Sequence, residues 1–196
     1  CAAISMVYLF ERMFLLHGES KYIDCMERTL YNGVISGMSM DGGRFFYPNP
    51  LSSDGKYKFN ADGNTTRQPW FGCACCPSNL CRFIPSVPGY LYGVKDNNIY
   101  VNLFAGNTST IKVNGKDVVL EETTEYPWNG DIKIAVKKSG VKNANLLVRI
   151  PGWVRNQVVP SDLYKYSDAE KPAYSVTVNG KAVEADLDAN KGYLPV

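Results

Sequence analysis

Residues 77–94 read PSNLCRFIPSVPGYLYGV, and this stretch joins two kinds of sequence that predict different architectures. Pro77 suits the first turn of a helix, where a backbone N–H has no acceptor within the helix. Apolar residues follow at helical spacing, and Pro88 with Gly89 ends the helical pattern. We therefore predict a helix that begins at Pro77 and ends before Pro88, and a change from helices to strands at that point.

The sequence before this stretch is mainly helical in pattern. Residues 1–17 are apolar over so wide a face that we predict a buried helix, and residues 20–34 continue at helical spacing. Around residues 41–43, DGG, the period changes to two, which predicts a short hairpin. Residues 48–72 are rich in Pro, Gly, Asn and Asp, and an irregular loop of this length is more often functional than incidental.

The sequence after Gly89 predicts short strands. Turn sequences such as Asn114-Gly115 and Asn179-Gly180 separate stretches of β-branched and aromatic residues. We expect strands at residues 90–94, 99–104, 111–113, 118–120, 132–136, 146–150 and 176–178. Short strands at turn-separated intervals indicate an antiparallel β-sandwich, so we divide the chain into a helical domain, 1–88, and a strand domain, 89–196.

Charge and hydropathy exclude two classes of partner. The 196 residues include 21 basic and 19 acidic side chains, and neither sign forms a run that would attract nucleic acid or an anionic membrane surface. No apolar stretch reaches the roughly 20 residues needed to span a bilayer, because Glu11 and Arg12 interrupt the first one. We therefore expect neither a nucleic-acid partner nor a membrane partner.

Both ends of the chain lie within predicted secondary structure. The sequence begins with Cys1 in an apolar helical pattern and ends with residues 192–196, GYLPV, in a strand-like pattern. We therefore expect this chain to be an internal piece of a longer protein, and we predict no cellular compartment from it.

The cysteines form the main candidate site. Four of the six lie in residues 73–81, CACCPSNLC. The neighbours Cys75 and Cys76 cannot close an ordinary disulfide without strain, so their clustering indicates thiolates around a soft metal such as Zn²⁺. Both precede a predicted helix, whose dipole lowers a thiol's pKa and prepares a nucleophile. The alternative is a set of inert buried cysteines, or ordinary disulfides in an exported protein.

The segment around these cysteines resembles a known family of bacterial enzymes. Residues 67–79, RQPWFGCACCPSN, followed by Arg82 and the sequence GYLY at residues 89–92, closely resemble glycoside hydrolase family 127, the β-L-arabinofuranosidase family. Four further stretches resemble the same family in the same order along the chain: 27–33, ERTLYNG; 44–51, RFFYPNPL; 126–128, YPW; and 149–153, RIPGW.

The resemblance implies a fold and a set of site residues. The fold would be an α + β multidomain one, with the C-terminal part of an (α/α)6 barrel in residues 1–88 and an antiparallel β-sandwich in residues 89–196. The family binds zinc through one Glu and three Cys, which correspond here to Cys1, Cys75 and Cys76. Cys75 matches the family's catalytic nucleophile, and Tyr47 matches a tyrosine that reaches the sugar. The ligand Glu and the general acid/base Glu would precede Cys1 in a longer protein.

The activity that the resemblance implies is retaining, zinc-dependent hydrolysis of a glycan containing L-arabinofuranose. Trp70 lies beside the cysteines in the sequence and is a candidate for lining the sugar pocket. The alternative is that its side chain anchors the loop in the core. We expect the chain alone to be inactive and to associate with the rest of its parent chain, or with itself, through exposed barrel helices.

Two other interpretations stay open: a non-catalytic carbohydrate-binding or structural β-sandwich module, and a redox or metal-sensing cysteine protein.

Overall fold

The computed structural model describes residues 1–167 and 173–196, in which helices precede strands. The helical elements are α1 (Ala2–His17), α2 (Ser20–Thr29), a π-helical turn (Leu30–Val34), short 3₁₀ segments (Ile35–Gly37 and Ala61–Gly63), α3 (Cys75–Phe83) and a longer 3₁₀ segment (Ile84–Tyr90). The strands are β1 (Tyr92–Lys95), β2 (Asn98–Val101), β3 (Asn107–Val113), β4 (Lys116–Thr124), β5 (Ile132–Ser139), β6 (Asn145–Arg149), β7 (Thr177–Val178), β8 (Lys181–Ala182) and β9 (Tyr193–Pro195).

The chain forms two compact units. The first unit consists of Cys1–Arg12 and Cys25–Pro88, and the second consists of Met13–Asp24 and Gly89–Val196. The helical segment Met13–Asp24 groups with the strands because its side chains pack there. Within the second unit, the ring of Phe14 lies 5.5 Å from that of Tyr100 in an edge-to-face contact.

Helix α1 buries one side and exposes another. Ile4, Val7 and Phe14 are buried, whereas Met6 and Leu16 are 41% and 75% exposed. The wide apolar face predicted a helix that is buried in the parent fold and leaves an apolar surface exposed in this chain, and the exposed side of α1 agrees with the second part of that prediction. Over the part of the chain that the structure describes, no helix is both long and apolar enough to cross a membrane.

Helix α3 begins at Cys75 instead of Pro77. A proline in the third position is tolerated because the N–H groups of the first turn have no acceptor within the helix. The α-helical pattern ends at Phe83, and the predicted continuation to Pro88 is a 3₁₀ segment. The structure therefore places both neighbouring cysteines inside the first turn of α3, not before it.

The predicted hairpin around residues 41–43 forms as a single bridge between Met38 and Phe45. The backbone N–H of Ser39 donates to the carbonyl of Arg44 across the turn. Phe45 forms a second isolated bridge with Gln68, which brings residue 45 and its neighbours close to the segment that leads into the cysteines.

The strands of the second unit form two larger sheets and one hairpin. One sheet has the order β1-β2-β6-β9, a second has the order β3-β4-β5, and β7 pairs with β8. Both larger sheets contribute to one apolar core cluster, formed by Ile99, Ile111, Val113, Val118 and Leu120. Strands β2 and β6 pair in parallel, so the first sheet is mixed, whereas we predicted antiparallel pairing throughout.

Candidate active site

Three of the predicted site cysteines meet in the first unit. The sulfur of Cys1 lies 3.7 Å from that of Cys76, and the sulfur of Cys76 lies 4.0 Å from that of Cys75. The side-chain amide of Asn79 donates to the Cys1 sulfur at 3.5 Å. All three cysteines are free thiols. The expected convergence of these residues, 75 positions apart in the case of Cys1 and Cys76, is therefore observed.

Two helix starts build this thiol cluster. Cys1 precedes α1, where its carbonyl accepts from the backbone N–H of Ser5. Cys75 and Cys76 are the first two residues of α3. The ring of Tyr8 in α1 meets that of Phe83 in α3 edge-to-face at 5.6 Å, a geometry that aromatic pairs favour. This contact helps to hold the start of α1 beside the start of α3.

Tyr47 contacts the cluster through its phenol. Its hydroxyl oxygen lies 2.7 Å from the sulfur of Cys75 and 3.6 Å from that of Cys73. The hydrogen bond with Cys75 is the main cause that raises the pKa of Tyr47 well above its usual value and lowers the pKa of Cys75. These two shifts are the ones expected of a phenol that donates and a sulfur that accepts, an arrangement that favours a thiolate at Cys75.

The two neighbouring thiols differ in acidity. Burial raises the pKa of Cys76, and the hydrogen bond with Cys75 raises it further. We expected both thiols to be acidified by the helix start. Instead Cys75 is the more acidic of the two, and Tyr47 is the largest cause of its lowered pKa.

The donor set is chemically suited to a soft metal ion. Thiolates prefer soft ions such as Zn²⁺, and two sulfurs bound at about 2.3 Å in a tetrahedral site lie about 3.8 Å apart. The two sulfur separations of 3.7 and 4.0 Å match that edge length. Within residues 1–167 and 173–196, however, no group of three or more His, Cys, Asp or Glu side chains is arranged to hold a metal ion. The thiols therefore fit Zn²⁺ as donors without forming a complete ligand set.

The two predicted sugar-binding residues are placed differently. Tyr47 is in the cluster, whereas the indole of Trp70 is 60% exposed and makes no hydrogen bond or ring contact with these thiols in the described part of the chain. The buried aromatic residue of this segment is Phe71, whose ring meets that of Tyr47 edge-to-face at 5.5 Å.

Two polar residues of the site were not predicted. Asn79 contacts Cys1, and the only signal for it in the sequence is its place in the family-like segment. Asn60 binds the backbone of Tyr47 through its side chain, with its carbonyl oxygen 2.8 Å from the Tyr47 nitrogen. Asn60 lies in an irregular loop. Because asparagine is common in loops, its presence there does not mark it as a functional residue.

A separate surface pocket of about 320 Å³ lies in the second unit. Its polar lining includes Ser20, Lys21, Arg155, Gln157 and Lys191, and none of the site residues predicted from the sequence line it. The thiol cluster and this pocket are therefore distinct features.

Family models match almost the whole chain. The model described as the β-L-arabinofuranosidase GH127 catalytic domain matches residues 1–89. The model of the GH127 middle domain of the same enzymes matches residues 98–196.

Individual relatives agree with the family models. The chain is 30% identical over 204 aligned residues to a non-reducing end β-L-arabinofuranosidase of Bifidobacterium longum subsp. longum, covering 100% of this chain and 28% of the relative. A GH127 β-arabinofuranosidase of known structure is 57% identical, with a TM-score of 0.90, over 100% of this chain and 29% of that one. A GH127 β-L-arabinofuranosidase from Geobacillus stearothermophilus T6 is 36% identical, with a TM-score of 0.78, over the same shares. The chain thus spans less than a third of the length of these relatives.

Proposed function

Because the chain belongs to glycoside hydrolase family 127, we propose that the protein containing it hydrolyses β-L-arabinofuranosides with Cys75 as the nucleophile. The observation that carries this proposal is the 2.7 Å contact between the Tyr47 hydroxyl and the Cys75 sulfur at the first turn of α3. A polarised, exposed thiol at a helix start has the properties of a reactive cysteine.

The proposed reaction retains the configuration of the sugar in two displacements. The Cys75 thiolate attacks the anomeric carbon, a C–S bond forms as the glycosidic C–O bond breaks, and a general acid protonates the departing oxygen. Water then attacks the same carbon and gives its proton to the conjugate base of that acid, and the sulfur leaves as a thiolate. Tyr47 orients the sulfur through its hydrogen bond in both steps.

Zn²⁺ is the proposed cofactor, with Cys1, Cys75 and Cys76 as ligands. When bound, it would keep the thiols deprotonated at neutral pH. The sulfur separations and the softness of the donors support this assignment. We propose that a fourth ligand and the general acid come from protein outside this chain, which spans 28% of its curated relative.

Because the general acid and the fourth ligand would lie outside this chain, we predict that residues 1–196 alone do not hydrolyse glycosides. Acid catalysis contributes about 10²–10⁴-fold, so a nucleophile without its acid is a poor catalyst. The proposed partners are the remainder of a longer chain or a second copy, acting through the exposed side of α1, where Met6 and Leu9 are 41% and 49% exposed.

We also propose the family's domain arrangement for the two parts of the chain. Residues 1–88 would be the last part of an (α/α)6 barrel, supported by their helical content, and residues 89–196 would be a β-sandwich domain, supported by the core cluster that both larger sheets share.

A non-catalytic carbohydrate-binding role of the second unit is the second candidate. The observation that favours it is Trp128, whose side chain is 88% exposed and so presents a flat apolar ring of the kind that stacks on sugars. This exposure excludes a core position for Trp128 within this chain.

The test of the first proposal is an assay of the full-length protein with a chromogenic β-L-arabinofuranoside. Cys75→Ser is expected to lower kcat at least about 10³-fold, because a neutral hydroxyl replaces the thiolate. Cys81→Ser is the matched control, since Cys81 is an exposed free thiol in the same helix. A fully active Cys75→Ser enzyme would show that another residue is the nucleophile.

The second candidate function is tested by sugar binding. Loss of sugar binding in Trp128→Ala, in a protein without hydrolytic activity, would favour the second candidate.

A further inference from the structure

We propose that Asn60 is a positioning residue for the reaction, which holds Tyr47 in place and through it the sulfur of Cys75. In the described part of the chain, the hydrogen bonds of the Asn60 side chain go to the backbone of Tyr47, Ala61 and Thr66, so Asn60 acts on the thiol through Tyr47.

Phe45 and Phe46 are held by hydrogen bonds between backbone groups, whereas the N–H of Tyr47 is bound by a side chain. Phe45 exchanges two backbone hydrogen bonds with Gln68, and the N–H of Phe46 donates to the carbonyl of Gly37. The next N–H, that of Tyr47, donates instead to the side-chain oxygen of Asn60 at 2.8 Å. Asn60 therefore supplies the acceptor that anchors the backbone of the residue carrying the phenol.

The side chain of Asn60 is itself held from several sides. Its oxygen also accepts from the N–H of Ala61 at 3.0 Å, and its amide group donates to the carbonyl of Thr66 at 2.8 Å. Its backbone N–H donates to the carbonyl of Asn64. Asn60 is 3% exposed, so water cannot replace these bonds without opening the loop. A carboxamide is needed here because the site requires an acceptor and a donor on one short side chain.

The ring of Tyr47 transmits this anchoring to the thiol. Its edge-to-face contact with Phe71, at 5.5 Å, supports the ring, and its hydroxyl reaches Cys75 at 2.7 Å. The hydroxyl is at the far end of a rigid side chain, so a small rotation of the Tyr47 backbone displaces it by a larger amount. A misplacement of about 1 Å is enough to cost about 10²-fold in rate.

This inference rests on the proposed role of Cys75 as the nucleophile, and a double-mutant cycle tests it. In the full-length protein, Asn60→Ala and Tyr47→Phe are each expected to lower kcat about 10–100-fold, with KM changed less. If Asn60 acts through the Tyr47 hydroxyl, the double variant is no slower than Tyr47→Phe to within about twofold. Multiplicative losses in a folded double variant would overturn the proposal.

Two further variants separate positioning from folding. Asn60→Asp keeps the acceptor for the Tyr47 N–H, but only its protonated carboxyl group can donate to Thr66 without burying a charge, so below the pKa of that carboxyl it is expected to retain more activity than Asn60→Ala. An equal loss in both folded variants would contradict the role. Asn64→Ala is the matched control, because this side chain has only a 3.5 Å contact with the carbonyl of Asp62, and wild-type activity is expected.

A second readout does not depend on sugar hydrolysis. The rate at which iodoacetamide alkylates Cys75, measured by mass spectrometry in protein treated with a chelator, should change by the same factor in Asn60→Ala, Tyr47→Phe and the double variant. If the wild-type protein does not hydrolyse the arabinofuranoside but the three factors agree, the proposed function fails and the positioning role stands. An alkylation rate in Asn60→Ala equal to the wild-type rate overturns the positioning role.

Discussion

The hydroxyl oxygen of Tyr47 lies 2.7 Å from the sulfur of Cys75, which is 28 residues further along the chain. This contact lowers the pKa of Cys75 and raises that of Tyr47. It distinguishes Cys75 from Cys76, whose pKa is raised by burial. The chemistry of the site therefore depends on a loop tyrosine as much as on the start of α3.

Removing the Tyr47 hydroxyl should make Cys75 less acidic. A group that stabilises the thiolate lowers the pKa of the thiol, so its loss in Tyr47→Phe raises that pKa and moves the alkylation of Cys75 to higher pH. The measurement is the pH dependence of iodoacetamide alkylation in chelator-treated protein. Tyr57→Phe is the control, because Tyr57 is an exposed loop tyrosine. An unshifted profile in Tyr47→Phe would mean that the hydrogen bond does not stabilise the thiolate.

The buried ion pair of the second unit should be important for stability. Arg149 is fully buried, and its guanidinium lies 2.6 Å from a carboxylate oxygen of Asp24. Asp24→Asn removes this carboxylate charge from beside the buried guanidinium and is expected to cost about 3–5 kcal/mol of the free energy of unfolding. The exposed pair of Lys137 and Glu121, 2.8 Å apart, provides the control, since Glu121→Gln should cost less than about 1 kcal/mol. Equal losses in urea denaturation would contradict this ranking.

Two glycines with positive φ should respond differently to alanine. Gly192 has φ +84° and a Cβ there would overlap the side-chain oxygen of Ser20, whereas Gly180 has φ +80° and open space around it. Gly180→Ala bears only the backbone strain, about 1 kcal/mol, and Gly192→Ala bears that strain together with the steric overlap. Thermal melts should therefore show the larger loss in Gly192→Ala. Melting temperatures lowered to the same extent would show that the Ser20 contact is easily relieved.

Glu122 should make stability dependent on pH. Burial raises its pKa from 4.5 to about 7, and the residue as a whole is 2% exposed. The folded protein then binds a proton that the unfolded chain releases between about pH 4.5 and 7, so stability decreases as pH rises through this window. The loss by pH 8 is on the order of 1–3 kcal/mol. Glu122→Gln should flatten this slope, whereas Glu121→Gln, on the exposed side of the same strand, should not. An unchanged slope in Glu122→Gln would assign the dependence to other groups.

Local signals in the sequence predicted the helices and the hairpins. Asn114-Gly115 and Asn179-Gly180 have the positive φ angles that tight hairpins require, and both lie at turns between paired strands. The parallel pairing of β2 with β6 was not predicted, because it joins strands far apart in sequence and no local pattern encodes it.

The sequence predicted those site residues whose type by itself indicates a chemical role, such as the cysteines. The cysteines of residues 73–81 stand out by their spacing, but Cys1 was linked to them only through the family resemblance, across 75 positions. Trp70 was selected because it is near the cysteines in sequence, and it is exposed instead of joining the cluster. Asn60 could not be found, because its importance comes from three hydrogen bonds that exist only once the loop has folded.

Trapping the covalent intermediate is the most direct measurement of the proposed chemistry. The full-length protein would be denatured with acid during turnover of a β-L-arabinofuranoside with a good leaving group, then digested and analysed by mass spectrometry. We predict one pentosyl group attached to the sulfur of Cys75, and none on that residue in Cys75→Ser. A pentosyl group on any other residue, with Cys75 unmodified, would contradict the assignment of Cys75 as the nucleophile.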